Sequence, residues 1–392
     1  MDKLIFHIDV NSAYLSWSAV EKLKNGSAVD LREIPSIIGG DIQSRHGVVL
    51  AKSIPAKAYG IKTGEPVTHA QSKCPSLVLE PPDHHLYSQY SKRLMELLCT
   101  FSPDIEQVSV DECYMDFTGK QGNYPSPIAA AGKIKDTVYD TFGFTVNVGI
   151  SCNKLLAKMA SDFEKPNKIH TLFPEEIPDK LWPLPVSELY MVGKSAAATL
   201  RKLGIETIGD LAHTDVTIIT SHLKSHGKLI WEFANGIDDS PVHTEDADSK
   251  CVGNSTTLPR DAVTAQEAKK VLLSLASQVA RRLKKSGQLA GSVTTELKYA
   301  TFVRVSHQMQ LSQATCDGKV LYAAACQLFD ELWNGEPIRL LGVRTSKLTV
   351  EAEPVQMSLF DLPKTQKELK AEQAMAALKK KFGDDIVKKG FR

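Results

Sequence analysis

Residues 105–118 read IEQVSVDECYMDFT, a stretch that combines two strand-like runs with a pair of carboxylates. The runs IEQVSV and CYMDFT are separated only by Asp111 and Glu112, which indicates two neighbouring strands joined at an acidic point. Upstream, residues 4–10 form an apolar run long enough for one buried strand, and Asp9 lies near its end. Because a buried carboxylate is costly unless a cation or hydrogen bonds neutralise it, these three acidic side chains are candidates for one site.

The segments around this stretch give a predicted order of strands and helices. Helices are predicted at residues 11–24, 87–100, 127–141 and 153–163, a further strand at residues 144–150, and a small inserted subdomain at residues 25–76. The order β-α-insert-α-β-β-α-β-α favours an antiparallel sheet with helices on one face over a doubly wound parallel sheet. The sequence therefore predicts an α+β, multidomain chain.

The composition is that of a soluble, core-forming protein. The chain has 392 residues and a mass of 43.0 kDa, with 42% hydrophobic and 24% charged residues. No apolar run approaches the roughly 18 residues of a membrane span, and the first apolar run is too short for a signal peptide. The 7 cysteines form no C-x-x-C pair, which argues against a disulfide framework or a cysteine-based zinc site. We expect a cytoplasmic monomer that does not bind membranes.

The net charge of +1 conceals an uneven distribution along the chain. Residues 250–350 carry 14 Lys and Arg against 7 Asp and Glu, whereas residues 1–249 carry 24 against 32. An acidic first part and a basic second part are expected when one part binds metal and the other binds a polyanion. Charge alone leaves a chance distribution of surface residues open.

The second half of the chain is predicted to contain a helical segment, a linker and a basic module. Short helices with Gly breaks occupy residues 174–236, and the polar, acidic stretch that follows up to residue 250 is typical of an interdomain linker. In the basic module, Thr264 and Glu267 have the spacing of a capping box at the start of a helix over residues 264–286.

Three converging carboxylates would form an oxygen-rich site of the kind that Mg²⁺ prefers. Two such ions about 3.5–4 Å apart stabilise both the attacking and the leaving oxygen of a phosphoryl displacement. The alternative is structural: Asp9 caps the following helix, and Asp111 and Glu112 form a solvated turn.

Three motifs resemble those of the Y-family, the translesion DNA polymerases. HIDVNSAYLSW (residues 7–17) and QVSVDECYMDFTG (residues 107–119) resemble the family's two acidic motifs, and GISCNKLLAKMASDFEKPN (residues 149–167) resembles its third. The resemblance implies a bacterial, DinB-like member with UmuC-like features in the fingers. It also implies a right-hand polymerase with a ferredoxin-like palm, small fingers, a helical thumb with a helix-hairpin-helix and an α/β little finger. The implied segments are palm 1–10 and 77–173, fingers 11–76, thumb 174–236, linker 237–250, little finger 251–350 and tail 351–392.

The resemblance also implies roles for single residues. Asp9 and Asp111 would bridge two Mg²⁺ ions, Glu112 would bind the catalytic ion, and the carbonyl of Val10 would reach the nucleotide-bound ion. Tyr14 matches the steric gate, whose ring excludes the 2′-hydroxyl of a ribonucleotide.

Two lysines match the family's cations for the triphosphate of the incoming dNTP. These are Lys165, in EKPN, and Lys57, in IPAKAYG. The DinB-like branch has an Arg where this chain has Lys57 and a Tyr where it has Ile54. The pattern A-K-x3-A-K-A-x-G is closer to the UmuC-like branch. A point charge in place of a forked guanidinium is expected to weaken triphosphate binding.

Candidate DNA contacts lie in the thumb and the little finger. MVGKSAAATLRKLGI (residues 191–205) resembles a helix-hairpin-helix in which Gly193 remains and Met191 replaces the other usual glycine. Ordinary helix packing explains this segment equally well. The predicted phosphate contacts of the little finger, or else a solvated helix end, are Arg281, Arg282, Lys284 and Lys285.

QMSLF (residues 356–360) resembles the pentapeptide that binds the bacterial sliding clamp, with Gln356, Leu359 and Phe360 as anchors. We therefore predict a DNA-dependent DNA polymerase that performs error-prone translesion synthesis on primer–template DNA with dNTPs and Mg²⁺. Two alternatives are a nucleotidyl cyclase with a palm-like core and a clamp-tethered DNA-binding accessory protein with a degenerate site. The cyclase would need neither the basic module nor the pentapeptide.

Overall fold

The computed structural model describes residues 3–41, 45, 47–244 and 249–350. The chain divides into two compact units, of which the second begins at Ser249; Thr257–Pro259 group with the first. The predicted clamp peptide at residues 356–360 lies outside the described residues. Within the described part, no helix is both long and apolar enough to cross a membrane.

The first unit contains eight strands and ten α-helices within its described residues. In chain order they are β1 (Ile5–Val10), α1 (Ala13–Lys24), β2 (Ser36–Gly39), β3 (Val49–Lys52), α2 (Ile54–Ala58), α3 (Val67–Lys73), β4 (Val78–Glu80), α4 (His84–Leu98), β5 (Ile105–Gln107), β6 (Glu112–Asp116), α5 (Pro127–Phe142), β7 (Val146–Ser151), α6 (Lys154–Asp162), β8 (Ile169–Thr171), α7 (Ile177–Lys180), α8 (Lys194–Lys202), α9 (Ile208–His213) and α10 (Val216–Ala234), which is broken at Lys224.

The main sheet of this unit has the strand order β5-β6-β1-β7-β8. The pairs β5–β6, β6–β1 and β1–β7 are antiparallel, and β8 adds a parallel edge strand to β7. Leaving β8 aside, this is the strand order of a ferredoxin-like sheet. The central position of β1 and β6 explains why the two apolar runs that carry the carboxylates are buried.

Helices cover both faces of this sheet, so the prediction that they lie on one face was wrong. Phe6 and Ile8 of β1 pack in a core with α1, α4 and α5, whereas His7 contacts Ser161 of α6. Helix α6 packs closely at Gly149, where an added Cβ would lie 2.0 Å from the carbonyl oxygen of Ala157. The second face of β1 carries His7 and Asp9 and is not uniformly apolar, so the sequence pattern did not indicate that a helix covers it.

The inserted subdomain forms a small sheet with the order β3-β2-β4. Strand β4 pairs in parallel with β2, so Val78–Glu80 joins this small sheet although the predicted fingers end at residue 76. In the opposite sense, Trp17 of α1 is fully buried in the core of the main sheet although α1 was assigned to the fingers. Chain order alone could not show that β4 joins the small sheet or that α1 packs on the main sheet, because both depend on packing between the predicted palm and fingers.

Within its described residues, the second unit contains a four-stranded sheet and two helices, and β10 pairs antiparallel with both of its neighbours. Its elements are β9 (Cys251–Ala262), α11 (Ala265–Ser286), β10 (Leu289–Tyr299), β11 (Arg304–Thr315), α12 (Gly318–Leu332) and β12 (Ile338–Thr349), in the sheet order β11-β10-β12-β9. Thr264 accepts a hydrogen bond from the amide of Glu267, as predicted, but the Glu267 carboxylate accepts from the amide of Val263. The capping box is therefore only half formed.

One face of the second sheet is covered by the helices and the other is polar. Val293 and Leu297 of β10 are fully buried, and Thr295 donates to the carbonyl of Ala325 in α12. The alternate residues Thr294 and Glu296 point to the opposite side, as expected from the period of a strand. We call this opposite side the polar face of the second sheet.

Candidate active site

The three predicted carboxylates are brought together at the ends of two central strands. Asp9 and Glu112 lie directly opposite each other in the β1–β6 ladder. The amide of Val10 donates to the carbonyl of Asp111 at 3.0 Å. Directly opposed residues of an antiparallel pair have Cβ atoms about 5 Å apart, so strand pairing alone places these carboxylates side by side.

Two lysines from α6 and the turn that follows it contact these carboxylates. The Nζ of Lys158 lies 2.7 Å from Oε2 of Glu112 and 3.6 Å from Oδ2 of Asp9. The Nζ of Lys165 lies 2.7 Å from the same Asp9 oxygen and 2.8 Å from Oδ1 of Asp162. Sequence reasoning found Lys165 and missed Lys158, which becomes visible only once α6 is known to cover the carboxylate face.

A buried histidine lies behind Glu112. The Nδ1 of His7 is 2.8 Å from Oγ of Ser161, and its Nε2 is 3.3 Å from Oε2 of Glu112. Nε2 has no well-aligned hydrogen-bond partner among the described residues. Burial lowers the pKa of His7, and contact with His7, followed by Lys158, lowers the pKa of Glu112 to about 2. His7 lies two residues before Asp9, on the same face of the strand, and this sequence signal was not used in the prediction.

Asp111 is in a different electrostatic environment. Its Oδ1 accepts a hydrogen bond from Oγ of Ser109 at 2.5 Å. Burial raises the pKa of Asp111, and the neighbouring charges of Asp9 and Glu112 raise it further. A cation at this position would relieve both effects.

The donor atoms fit a hard divalent cation, because they are carboxylate oxygens at one edge of a sheet. Within the described ranges, no group of three His, Cys, Asp or Glu side chains is arranged to hold an ion as it stands. In this structure the ammonium group of Lys158 contacts both Asp9 and Glu112 and takes the place of a cation between them.

A cavity of about 680 Å³ opens beside the carboxylates. It is lined by most of the residues that the sequence predicted for catalysis and nucleotide binding, namely Asp9, Val10, Tyr14, Lys57, Asp111 and Lys165. It is also lined by Arg32 and Lys52, which sequence reasoning did not assign. Asp9 and Lys165, which are 156 positions apart in the chain, thus line one cavity.

Tyr14 and Asn11 also line this cavity. The Tyr14 ring stacks on Tyr87 with a centroid distance of 4.4 Å and an interplanar angle of 11°. Asn11 is buried, and its Oδ1 accepts from the amide of Asn167 and from the hydroxyl of Thr145, both at 2.9 Å. Asn11 therefore ties the end of β1 to the turn that carries Lys165.

The predicted DNA contacts belong to the thumb segment and to the second unit. Gly193 is the N-cap residue of α8, and Met191 adopts a left-handed backbone with φ of 70°. In the second unit, the four predicted cations at the end of α11 are exposed. One of them, Arg282, donates to the carbonyl of Gly253 at 2.8 Å.

Comparison with known proteins agrees with this fold and site. The impB/mucB/samB family matches residues 8–162, its C-terminal domain matches residues 249–359, and the IMS family HHH motif matches residues 174–205. A solved Y-family DNA polymerase chimera superposes with a TM-score of 0.78 at 24% identity, covering 89% of this chain and 100% of that one. This likeness supports the fold, a right-hand polymerase of the α+β class.

Curated relatives extend the match over nearly the whole chain. DNA polymerase IV of Clostridium acetobutylicum is 46% identical over 387 residues, which cover 99% of this chain and 97% of that protein. DNA polymerase IV 1 of Bacillus subtilis is 36% identical, with coverage of 99% and 92%.

The chain belongs to the impB/mucB/samB family, the bacterial Y-family of translesion DNA polymerases. Its relatives place it on the DNA polymerase IV, or DinB-like, branch, and it is a DNA-directed DNA polymerase that depends on a divalent metal. The accessory-protein alternative is not favoured.

Proposed function

We propose that this polymerase uses two Mg²⁺ ions, held by Asp9, Asp111, Glu112 and the carbonyl of Val10, to extend primer–template DNA with dNTPs. The observation that carries the proposal is the cavity that Asp9 and Asp111 line together with Tyr14, Lys57 and Lys165. Bound Mg²⁺ would stabilise the charge that develops during displacement at the α-phosphate.

The side chains around the carboxylates would bind and orient the nucleotide. Lys57 and Lys165 would neutralise the triphosphate as point charges. Lys165, which contacts Asp9, would link the metal ligands to the phosphates. The Tyr14 ring, fixed by its stacking on Tyr87, would exclude the 2′-hydroxyl of a ribonucleotide.

DNA binding would involve the second unit and the thumb. A cavity on the polar face of the second sheet is lined by Arg282, Arg304 and Arg344, and we propose that phosphates bind there. The other predicted contacts, Arg281, Lys284 and Lys285, would extend this basic surface along α11.

In the thumb, the backbone amides that follow Gly193 would bind a further phosphate at the start of α8. The pentapeptide QMSLF would bind the bacterial sliding clamp, and its position in the chain after β12, which ends at Thr349, supports this role. We further propose a cytoplasmic monomer, in line with seven free cysteines.

The test is insertion of each dNTP on undamaged and abasic primer–templates, with and without Mg²⁺. We expect extension that requires Mg²⁺ and disappears in Asp111→Ala. Asp136→Ala, which removes an exposed carboxylate of α5, is the matched control and should retain activity. Extension that persists in Asp111→Ala, or its absence in the wild type with clamp present, would refute the proposal.

A further inference from the structure

The nucleotide cavity contains a cation that has no role in the proposed function so far. Lys52 is the last residue of β3 and is partly buried. Its side chain lines the same cavity as Asp9 and Lys57. Its Nζ donates to the hydroxyl of Thr63 at 3.2 Å, a contact that leaves further donors of the ammonium group available.

Lys52 and Lys57 differ in pairing from the other cations of the cavity. Lys165 contacts two carboxylates, and the Arg32 guanidinium is bound by Asp30 and by the carbonyl of Gly143. Among the residues that the structure describes, no carboxylate lies within salt-bridge distance of Lys52 or Lys57. The cavity therefore has two cations without a paired anion on one wall.

The two unpaired cations are close enough to repel each other. Burial lowers the pKa of Lys52 and the charge of Lys57 lowers it further, while the charge of Glu65, which is paired with Lys73, opposes both. The neighbouring residues Ser53 and Ile54 cannot bind an anion as well as the two lysines can. The Ser53 hydroxyl is engaged by the amide of Ala56 and the carbonyl of Ile34, and the exposed side chain of Ile54 is apolar. A ligand with several negative charges would relieve the repulsion.

We propose that Lys52 binds the triphosphate of the incoming nucleotide together with Lys57. The proposal rests on the proposed polymerase function and adds a third lysine to its nucleotide site. A lysine ammonium is a point charge without the donor–acceptor pattern that distinguishes one base from another. Lys52 should therefore contribute to the affinity for all four dNTPs equally.

The test is steady-state insertion of each dNTP by the wild type and by variants at three lysines. For Lys52→Ala, we expect KM to rise about tenfold for every dNTP while kcat changes less than about threefold, since a charge-assisted hydrogen bond is lost. Lys52→Arg should restore most of the affinity, and Lys57→Ala should raise KM in the same way. Lys62→Ala, an exposed lysine of the same segment that does not line the cavity, should match the wild type.

Two results would overturn the role of Lys52: an unchanged KM in Lys52→Ala, or a change confined to one or two dNTPs, which would indicate a base contact. Failure of the polymerase proposal has a different signature, because the wild type itself would then insert no nucleotide. In that case, equilibrium titration with dTTP and Mg²⁺ tests the triphosphate contact of Lys52 without the need for turnover. A tenfold weaker Kd for Lys52→Ala would still support the triphosphate contact, and an equal Kd would refute it.

Discussion

The two large sheets of this polymerase use charge in opposite ways. At the end of the main sheet, Asp9 and Glu112 lie opposite each other, and each has a lysine ammonium within 2.7 Å. On the polar face of the second sheet, three arginines, Arg282, Arg304 and Arg344, line a cavity with one carboxylate, Glu296, which pairs with Arg304. Chemistry requires charges at fixed positions, whereas phosphate binding sums many weak contacts. Single substitutions should therefore have large effects in the first sheet and graded effects in the second.

The largest effect is expected at Asp9. Asp9→Asn keeps the shape of the side chain but removes a charge that lies between Glu112 and Lys165, so kcat/KM for dNTP insertion should fall about 10³-fold or more. Single-nucleotide insertion kinetics with Asp136→Asn as the control measure this. A loss below tenfold would mean that the main sheet tolerates substitution as the second sheet does.

A loss of about tenfold in kcat is expected when a substitution of His7 removes its contact with Glu112. Gln at this position keeps a donor near Nε2, toward Glu112, whereas Asn keeps one near Nδ1, toward Ser161. We expect His7→Ala and His7→Asn to lower kcat and raise the Mg²⁺ concentration needed for half-maximal rate, and His7→Gln to restore part of both. Equal activity of the Asn and Gln variants at matched thermal stability would contradict a positioning role.

Smaller effects are expected on the polar face of the second sheet. Arg344→Ala and Arg304→Ala should each weaken primer–template binding about threefold and reduce the slope of log K against log salt by about one. The control is Lys269→Ala, because Lys269 pairs with Asp330 on α12. Anisotropy titrations at several salt concentrations measure these values. A complete loss of binding in one variant would show a localised site instead.

The smallest effect concerns acid stability. The folded pKa of Glu112, about 2, lies below its ordinary value of 4.5, so its stabilising contribution is complete above pH 4.5 and is lost as the pH falls toward 2. Glu112→Gln should therefore lower the free energy of unfolding at pH 6 more than near pH 3. Glu296→Gln, which breaks a partly exposed pair with Arg304, should change it little at either pH. Urea titrations at both pH values measure this difference. An equal loss of unfolding free energy at pH 6 and at pH 3 would contradict the prediction.

The parts of the site that depend on strand pattern were predictable from sequence. Two apolar runs that end in acids indicated buried strands, and the ladder pairs Asp9 with Glu112. The contacts of Lys158 and the place of Lys52 beside the carboxylates were not predictable, because each depends on elements distant in the chain. His7 had a signal in the sequence, its position two residues before Asp9. His7 acts on Glu112 across the sheet, and Lys158 reaches it from α6.

The sequence by itself determined the fold class, the family and the identity of the acidic and basic candidates, because local periodicity and motif order are properties of neighbouring residues. Only the tertiary structure decided that α6 covers the carboxylate face, that β4 joins the small sheet, and that Lys52 lines the cavity beside the carboxylates. The alternation of side chains along a strand shows which residues share a face. What covers each face is decided by packing between elements far apart in the chain.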